Sequence, residues 1–190
     1  MSRARQPRRR SAGLVVLVAL GVAVGGCGTD PPPVDPSRAT GAATTARPSA
    51  QEESAARKDA LAAYEGYLEA TRMASRTSDP QHPELTRHLA DPLLTRVRLT
   101  IRQAKENGAM RTGKLVSDPT VTGVDLEADP PTVEIQDCLD TTGYRLVYTK
   151  DRKVVPGSAG SRHLATATAV RYPDGRWRIS RGNAHQDQPC

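Results

Sequence analysis

The stretch His163-Leu164-Ala165-Thr166-Ala167-Thr168-Ala169-Val170-Arg171-Tyr172-Pro173-Asp174-Gly175-Arg176-Trp177-Arg178-Ile179-Ser180-Arg181-Gly182 decides the fold. It reads as two strands, 163–172 and 176–182, joined by a tight turn. Pro173 presets the negative φ that such a turn needs, and Gly175 accepts the positive φ that closes it. Trp177 and Ile179 alternate with Arg176, Arg178 and Ser180, so the last strand buries one face. A chain ending in a hairpin of this kind builds an antiparallel sheet.

Working back from the hairpin, a period of two holds from Gly108 onward, with strands expected at 120–126, 132–138 and 144–149 and a shorter one at 114–117. Residues 150–162, with Pro156, Gly157 and Gly160, read as a mobile basic loop. Before Gly108 the period is helical. Residues 54–75 contain no Pro, and Leu61, Tyr64 and Leu68 recur at spacings of three and four, which predicts a long first helix with an apolar face. Asp79-Pro80 and His82-Pro83 break it, and a short helix is expected over 84–89. A second long helix then opens with Asp91 capping and Pro92 at its first position, and closes at Asn107-Gly108. Leu93, Val97, Ile101 and Ala104 form its apolar stripe.

Arg98, Arg102 and Lys105 form a second, basic stripe on that helix, extended by Arg111 and Lys114. It reads either as a solvated face or as a docking face for anionic lipid heads or an acidic partner, and the 150–153 loop reads likewise. Helices first and strands after give an α+β fold, with N-terminal helices on one face of an antiparallel sheet of four to six strands. No internal repeat of solenoid length is visible.

Residues 3–10 carry Arg3, Arg5, Arg8, Arg9 and Arg10 and no acid, followed by an apolar run over 13–24. The run is too short to span a bilayer as a mature helix and reads as a signal peptide. The apolar residue of a twin-arginine signal is missing after Arg10, where Ser11 and Ala12 stand. Val24-Gly25-Gly26-Cys27 resembles the lipobox of bacterial lipoproteins. The resemblance implies cleavage before Cys27, a lipid on its thiol, and anchoring at the extracytoplasmic face of the cell membrane. The Arg- and Ala-rich composition is similar to that of actinobacterial proteins.

The basic address also explains the charge. Taking its five arginines from the 27 basic residues leaves 22 against 21 acidic ones, so the net charge of +6 says little about a nucleic-acid partner. With no Phe, five Tyr and one Trp, a stacking platform for single strands is excluded as well. Residues 27–52, beginning at Cys27, carry Pro31-Pro32-Pro33, Pro36 and Pro48 among small polar residues and read as a disordered tether. The expected organisation is a signal peptide over 1–26, this tether, and a domain over 53–190.

Setting Cys27 aside leaves Cys138 and Cys190, for which a disulfide is the expected pairing in an oxidising compartment, with free thiols or intermolecular bridges as the alternatives. Their spacing is not that of a redox Cys-x-x-Cys pair. The element order, the Asp137-Cys138-Leu139-Asp140 stretch, the 171–177 hairpin and the terminal Cys resemble the nuclear-transport-factor-2-like (SnoaL-like, cystatin-like) superfamily over residues 54–190. That resemblance implies a curved, cone-like sheet with a hollow between it and the helices.

The superfamily holds isomerases and dehydratases beside non-catalytic binding domains. A proton-abstracting enzyme would need a carboxylate or His near a polar donor in the hollow. Asp59, Tyr64, Tyr67, Tyr144, Tyr148 and His163 supply the residue types, yet no spacing selects a pair. Asp59 reads as exposed, Tyr64 as core and His163 as a solvated strand edge. The expected pocket residues are Tyr64, Tyr144, Tyr148 and Trp177.

His82, His88, His163 and His185 lack metal-ligand spacing, there is no Gly-x-Ser-x-Gly, and Gly157 and Gly160 do not lead from a strand into a helix. No metal, catalytic group or cofactor is therefore expected. One compact domain also offers no two-lobed cleft of the transporter-receptor kind. The favoured function is a non-catalytic binding or accessory domain with an envelope protein partner or a small apolar ligand, and the alternative is a small SnoaL-like enzyme.

Overall fold

The computed structural model describes residues 47–190. The expected signal peptide, Cys27 and the tether up to residue 46 lie outside the described residues. Three helices, α1 (Ala50–Arg76), α2 (Pro83–His88) and α3 (Leu93–Glu106), precede six strands. These are β1 (Ala109–Gly113), β2 (Pro119–Asp125), β3 (Thr132–Asp140), β4 (Tyr144–Tyr148), β5 (Arg162–Arg171) and β6 (Trp177–His185). All pairings within the sheets are antiparallel, in a four-stranded sheet β2-β3-β5-β6 and a two-stranded ribbon β1-β4. The fold is α+β.

The first helix starts earlier than its apolar pattern suggests, taking in residues assigned to the end of the tether. Ser49 and Glu52 form a capping box: the Glu52 backbone N–H donates to Ser49 Oγ at 3.2 Å, and the Ser49 N–H donates to the Glu52 carboxylate at 2.7 Å. Capping chemistry, not periodicity, sets this boundary. The buried face of α1 also differs from expectation. It runs through Ala56, Ala60, Ala63, Tyr64, Ala70 and Ala74, leaving Leu61 and Leu68 only half-buried. Small residues on that face let the helix lie close to the sheet, and the larger leucines pack at its margin.

Gly66 permits a second close approach. A Cβ there would stand 2.2 Å from the His88 ring, so the missing side chain lets α2 rest against α1. The α3 stripe of Leu93, Val97 and Ile101 is buried as expected. Asp91 accepts from the Thr95 N–H at 3.1 Å, and the helix begins one residue after Pro92. Gly108 at φ +62° ends it.

The short strand expected at 114–117 is instead β1, five residues earlier, and Val116 contributes only an isolated bridge to Asp140. The 150–162 segment is not a free loop. Val155 N–H donates to Leu146 O at 3.0 Å, Tyr148 N–H to Lys153 O at 2.9 Å, and Thr141 N–H to Ser161 O at 3.0 Å. His163, expected at a solvated edge, is buried, with Nδ1 3.1 Å from Ser161 Oγ. The β5–β6 turn forms as read, with Gly175 at φ +78° and its N–H donating to Tyr172 O at 2.8 Å.

Cys138 and Cys190 are joined in a disulfide, Cα atoms 5.8 Å apart. It fastens the end of the chain to β3. The core lies between α1, α2, α3 and the four-stranded sheet, centred on Leu85, Leu89, Val133, Ile135, Ala169 and Ile179. No helix among the described residues is long and apolar enough to cross a membrane.

Candidate functional site

The inward face of β3 runs Val133, Ile135, Asp137, Leu139, since side chains alternate along a strand. On neighbouring β5 the corresponding positions are Ala165, Ala167 and Ala169. On β6, Gly182 stands beside Ala167 and Ala184 beside Ala165. Small side chains on the sheet side leave space beneath the helices. That space is a cavity of about 470 Å³, bounded by α1, α3 and the β5–β6 face. Volumes of roughly 300–1,000 Å³ are those of small-molecule sites.

Its apolar wall is supplied by Leu93, Val97 and Ile101 of α3, Leu139 of β3, and the β5 alanines. Tyr64, Tyr67, Thr71 and Ser75 come from successive turns of α1, where spacings of three and four put them on one face. Tyr144 from β4 and Arg111 from β1 close one side, and Arg96 of α3 stands at another, donating to the Gly182 carbonyl oxygen. The Arg111 guanidinium lies 5.6 Å from the Tyr144 ring centroid, a cation–π contact. Arg111 thus belongs to the cavity, whereas the sequence stripe put it on a surface face with Arg98, Arg102 and Lys105.

Two hydroxyls on the wall are buried without a hydrogen-bond partner among the described residues, those of Tyr144 and Thr71. Tyr144 is 7 % exposed. Burial raises its pKa, as it does that of Tyr67, so both are neutral donors at ordinary pH. Tyr64 is different. Its hydroxyl donates to Asp137 Oδ2 at 3.0 Å, and burial, then the adjacent Asp137 charge, push its pKa far up. Asp137 also accepts from Ser117 Oγ and the Asp118 N–H, each at 2.7 Å. It is buried and does not line the cavity.

Of the four expected pocket residues, Tyr64 and Tyr144 line the cavity. Trp177 is buried at the opposite end of the sheet face, bordering two clefts beside Asp59 of α1. Tyr148 is 39 % exposed and does not reach the cavity. Tyr148 lies one strand position beyond an inward site, and Trp177 sits at the turn end of β6, so each is carried away from the hollow. The sequence reading missed Arg96, Arg111 and Thr71 as wall residues. The signal available for the floor was the alternation of Ala with Thr over 165–169.

No Asp, Glu or His stands among the residues lining the cavity. Among the described residues, no group of three or more His, Cys, Asp or Glu is placed to hold a metal.

No protein-family model matches this chain, and no curated protein matches it. Among solved structures, it is similar to the intermembrane space region of the chloroplast protein ARC6. The TM-score is 0.49 and the identity 15 %, over 67 % of this chain and 95 % of that one.

Proposed function

We propose that this chain is a lipoprotein anchored through Cys27 at the extracytoplasmic face of the cell membrane, whose nuclear-transport-factor-2-like domain binds a small ligand non-catalytically. The cavity between α1, α3 and the β5–β6 face is the observation that carries the ligand reading. Helices on one face of an antiparallel sheet, with a hollow between, support the superfamily resemblance. The isomerase or dehydratase alternative needs a base in the hollow. The cavity wall holds no carboxylate or imidazole, and the nearest buried acid, Asp137, is occupied by three donors, which supports binding over proton abstraction.

The anchor reading rests on the basic segment, the apolar run and Val24-Gly25-Gly26-Cys27. Two acyl chains on such a Cys hold a protein stably where one is marginal. The Cys138–Cys190 bridge fits an oxidising compartment. Cell fractionation tests the anchor: Cys27→Ser is expected to move the protein from membranes to the soluble fraction, and unchanged membrane retention overturns it. Native mass spectrometry of the secreted domain tests the binding reading. A small-molecule adduct that is lost on denaturation is the expected result.

A further inference from the structure

We infer that the cavity takes an amphipathic anion, an apolar body bearing one carboxylate-type head, and that Arg111 and the neighbouring Tyr144 hydroxyl receive that head, with Arg96 on another side of the cavity adding to the attraction. The inference rests on the ligand-binding reading above and specifies its chemistry. Three independent observations point to it.

The first is charge. Two guanidiniums border the cavity, no acidic side chain lines it, and neither arginine forms an ion pair among the described residues. Arg96 is tied to a backbone carbonyl and Arg111 lies over an aromatic face, which positions both cations without neutralising them. A positively charged head would face two like charges, whereas an anion replaces the missing counter-charge.

The second is the pair of orphaned hydroxyls. The Tyr144 and Thr71 hydroxyls are buried on the wall and make no hydrogen bond of good geometry among the described residues, Ser75 being the polar neighbour of Tyr144. A buried donor without an acceptor is costly, and an apolar ligand sealing the cavity would leave both unmet. A ligand oxygen brought beside either hydroxyl would supply the missing partner. The Tyr144 hydroxyl, held neutral by burial, keeps its proton to donate.

The third is the body of the cavity. Leu93, Val97, Ile101 and the alanines of β5 offer an apolar bed, beside which Thr100, Thr166 and Asn183 are the remaining polar side chains of the wall. The part of the ligand that lies on this bed is therefore hydrocarbon or aromatic.

The segment 47–190 contains the helix cap, the disulfide, both sheets and the core, so it is the unit to test. Calorimetric titration at pH 7.5 with two matched sets of probes separates the outcomes: octanoate against octanol and octylammonium, and 2-naphthoate against 2-naphthol. The carboxylates are expected to bind at least about tenfold more tightly than their neutral partners, a factor typical of a charge-assisted hydrogen bond. Octylammonium should bind least. Arg111→Gln, with a native unfolding transition, should weaken octanoate or naphthoate about tenfold while leaving octanol or naphthol unchanged, and Arg96→Gln should weaken the carboxylates less. Raising salt tenfold should weaken only the carboxylates.

If the neutral probes bind as tightly as the carboxylates, or the arginine variants bind the carboxylates normally, the anion assignment fails while the ligand-binding reading stands. If no probe binds the folded wild-type segment, both fail.

Discussion

The Tyr64 hydroxyl donates to Asp137 Oδ2 across 3.0 Å, joining the middle of α1 to the inward face of β3 between residues 73 positions apart. The same carboxylate oxygen accepts from Ser117, and its other oxygen accepts from the Asp118 backbone. One buried acid thereby locks a helix, a strand and the approach to β2. Asp137→Ala leaves three donors unmet and is expected to cost about 3 kcal/mol or more. Tyr64→Phe removes only one donor and should cost about 1–3 kcal/mol. Urea unfolding measures both, and an Asp137→Ala cost no larger than that of Tyr64→Phe contradicts this arrangement.

Tyr144→Phe should act in the opposite direction. Its hydroxyl is buried and unpartnered, so removing it is expected to stabilise the unliganded domain by about 1 kcal/mol. Carboxylate binding should weaken in the same variant. Thermal unfolding with and without 2-naphthoate reads both effects in one experiment.

The Cys138–Cys190 bridge closes a segment with a separation of 52 residues. Chain-entropy arguments assign such a loop on the order of 4 kcal/mol, so replacing both cysteines by Ser should lower stability by about 2–4 kcal/mol. Guanidinium unfolding of the double variant checks this. Reductant should destabilise the wild type and leave the double variant unaffected.

Gly66 lies inside α1, where replacing Gly by Ala ordinarily stabilises a helix by about 1 kcal/mol. Here the added Cβ meets the His88 ring at 2.2 Å, and Gly66→Ala should instead destabilise by about 1–3 kcal/mol. Adding His88→Ala removes the obstacle. The double variant should therefore be more stable than Gly66→Ala alone, by calorimetry.

His88 also carries a pH signature. Burial lowers its pKa, outweighing the pull of Glu84, with Arg87 adding to the lowering. The unfolded chain then binds the proton more readily than the native one, so stability is full above the unfolded value of about 6.5 and falls as pH drops through it toward the lower native value. Unfolding free energies of the wild type and His88→Gln, measured between pH 7.5 and 5.5, should converge on acidification. Parallel curves refute the assignment.

Much of the element order was legible because its determinants are local. The Pro173-Asp174-Gly175 turn and the Asn107-Gly108 stop each act within a few residues, and both stand where they were read. The Ser49–Glu52 capping box is equally local, but it lies ahead of the apolar spacing, which starts later and by itself places the helix start too far along the chain. The face of α1 is only partly legible, since Tyr64 is buried while Leu61 and Leu68 pack at the margin of the core. Large residues at 61 and 68 mark an apolar side, but close packing against a sheet favours the alanines beside them.

The candidate site was less legible. Residue type singles out Tyr64, Tyr144, Tyr148 and Trp177 alike, and type alone does not say which way a strand presents a side chain: Tyr64 and Tyr144 line the cavity, and the other two do not. Arg111 looked like part of a surface stripe because its helical neighbours are. Its place in β1, opposite Leu146 of β4, turns it toward Tyr144.

The α+β order and the hairpin are written in the chain locally, because periodicity and turn chemistry are properties of neighbouring residues, whereas with three cysteines present the Cys138–Cys190 pairing is expected only once Cys27 is set aside. Only the tertiary structure decided that alanines of β5 would face α3 across a void, that Arg96 and Arg111 would border it, and that Tyr144 would be left with an unmet donor. Those relations depend on helix rotation and strand register. Both are settled by packing between segments far apart in the chain, where no local pattern reaches.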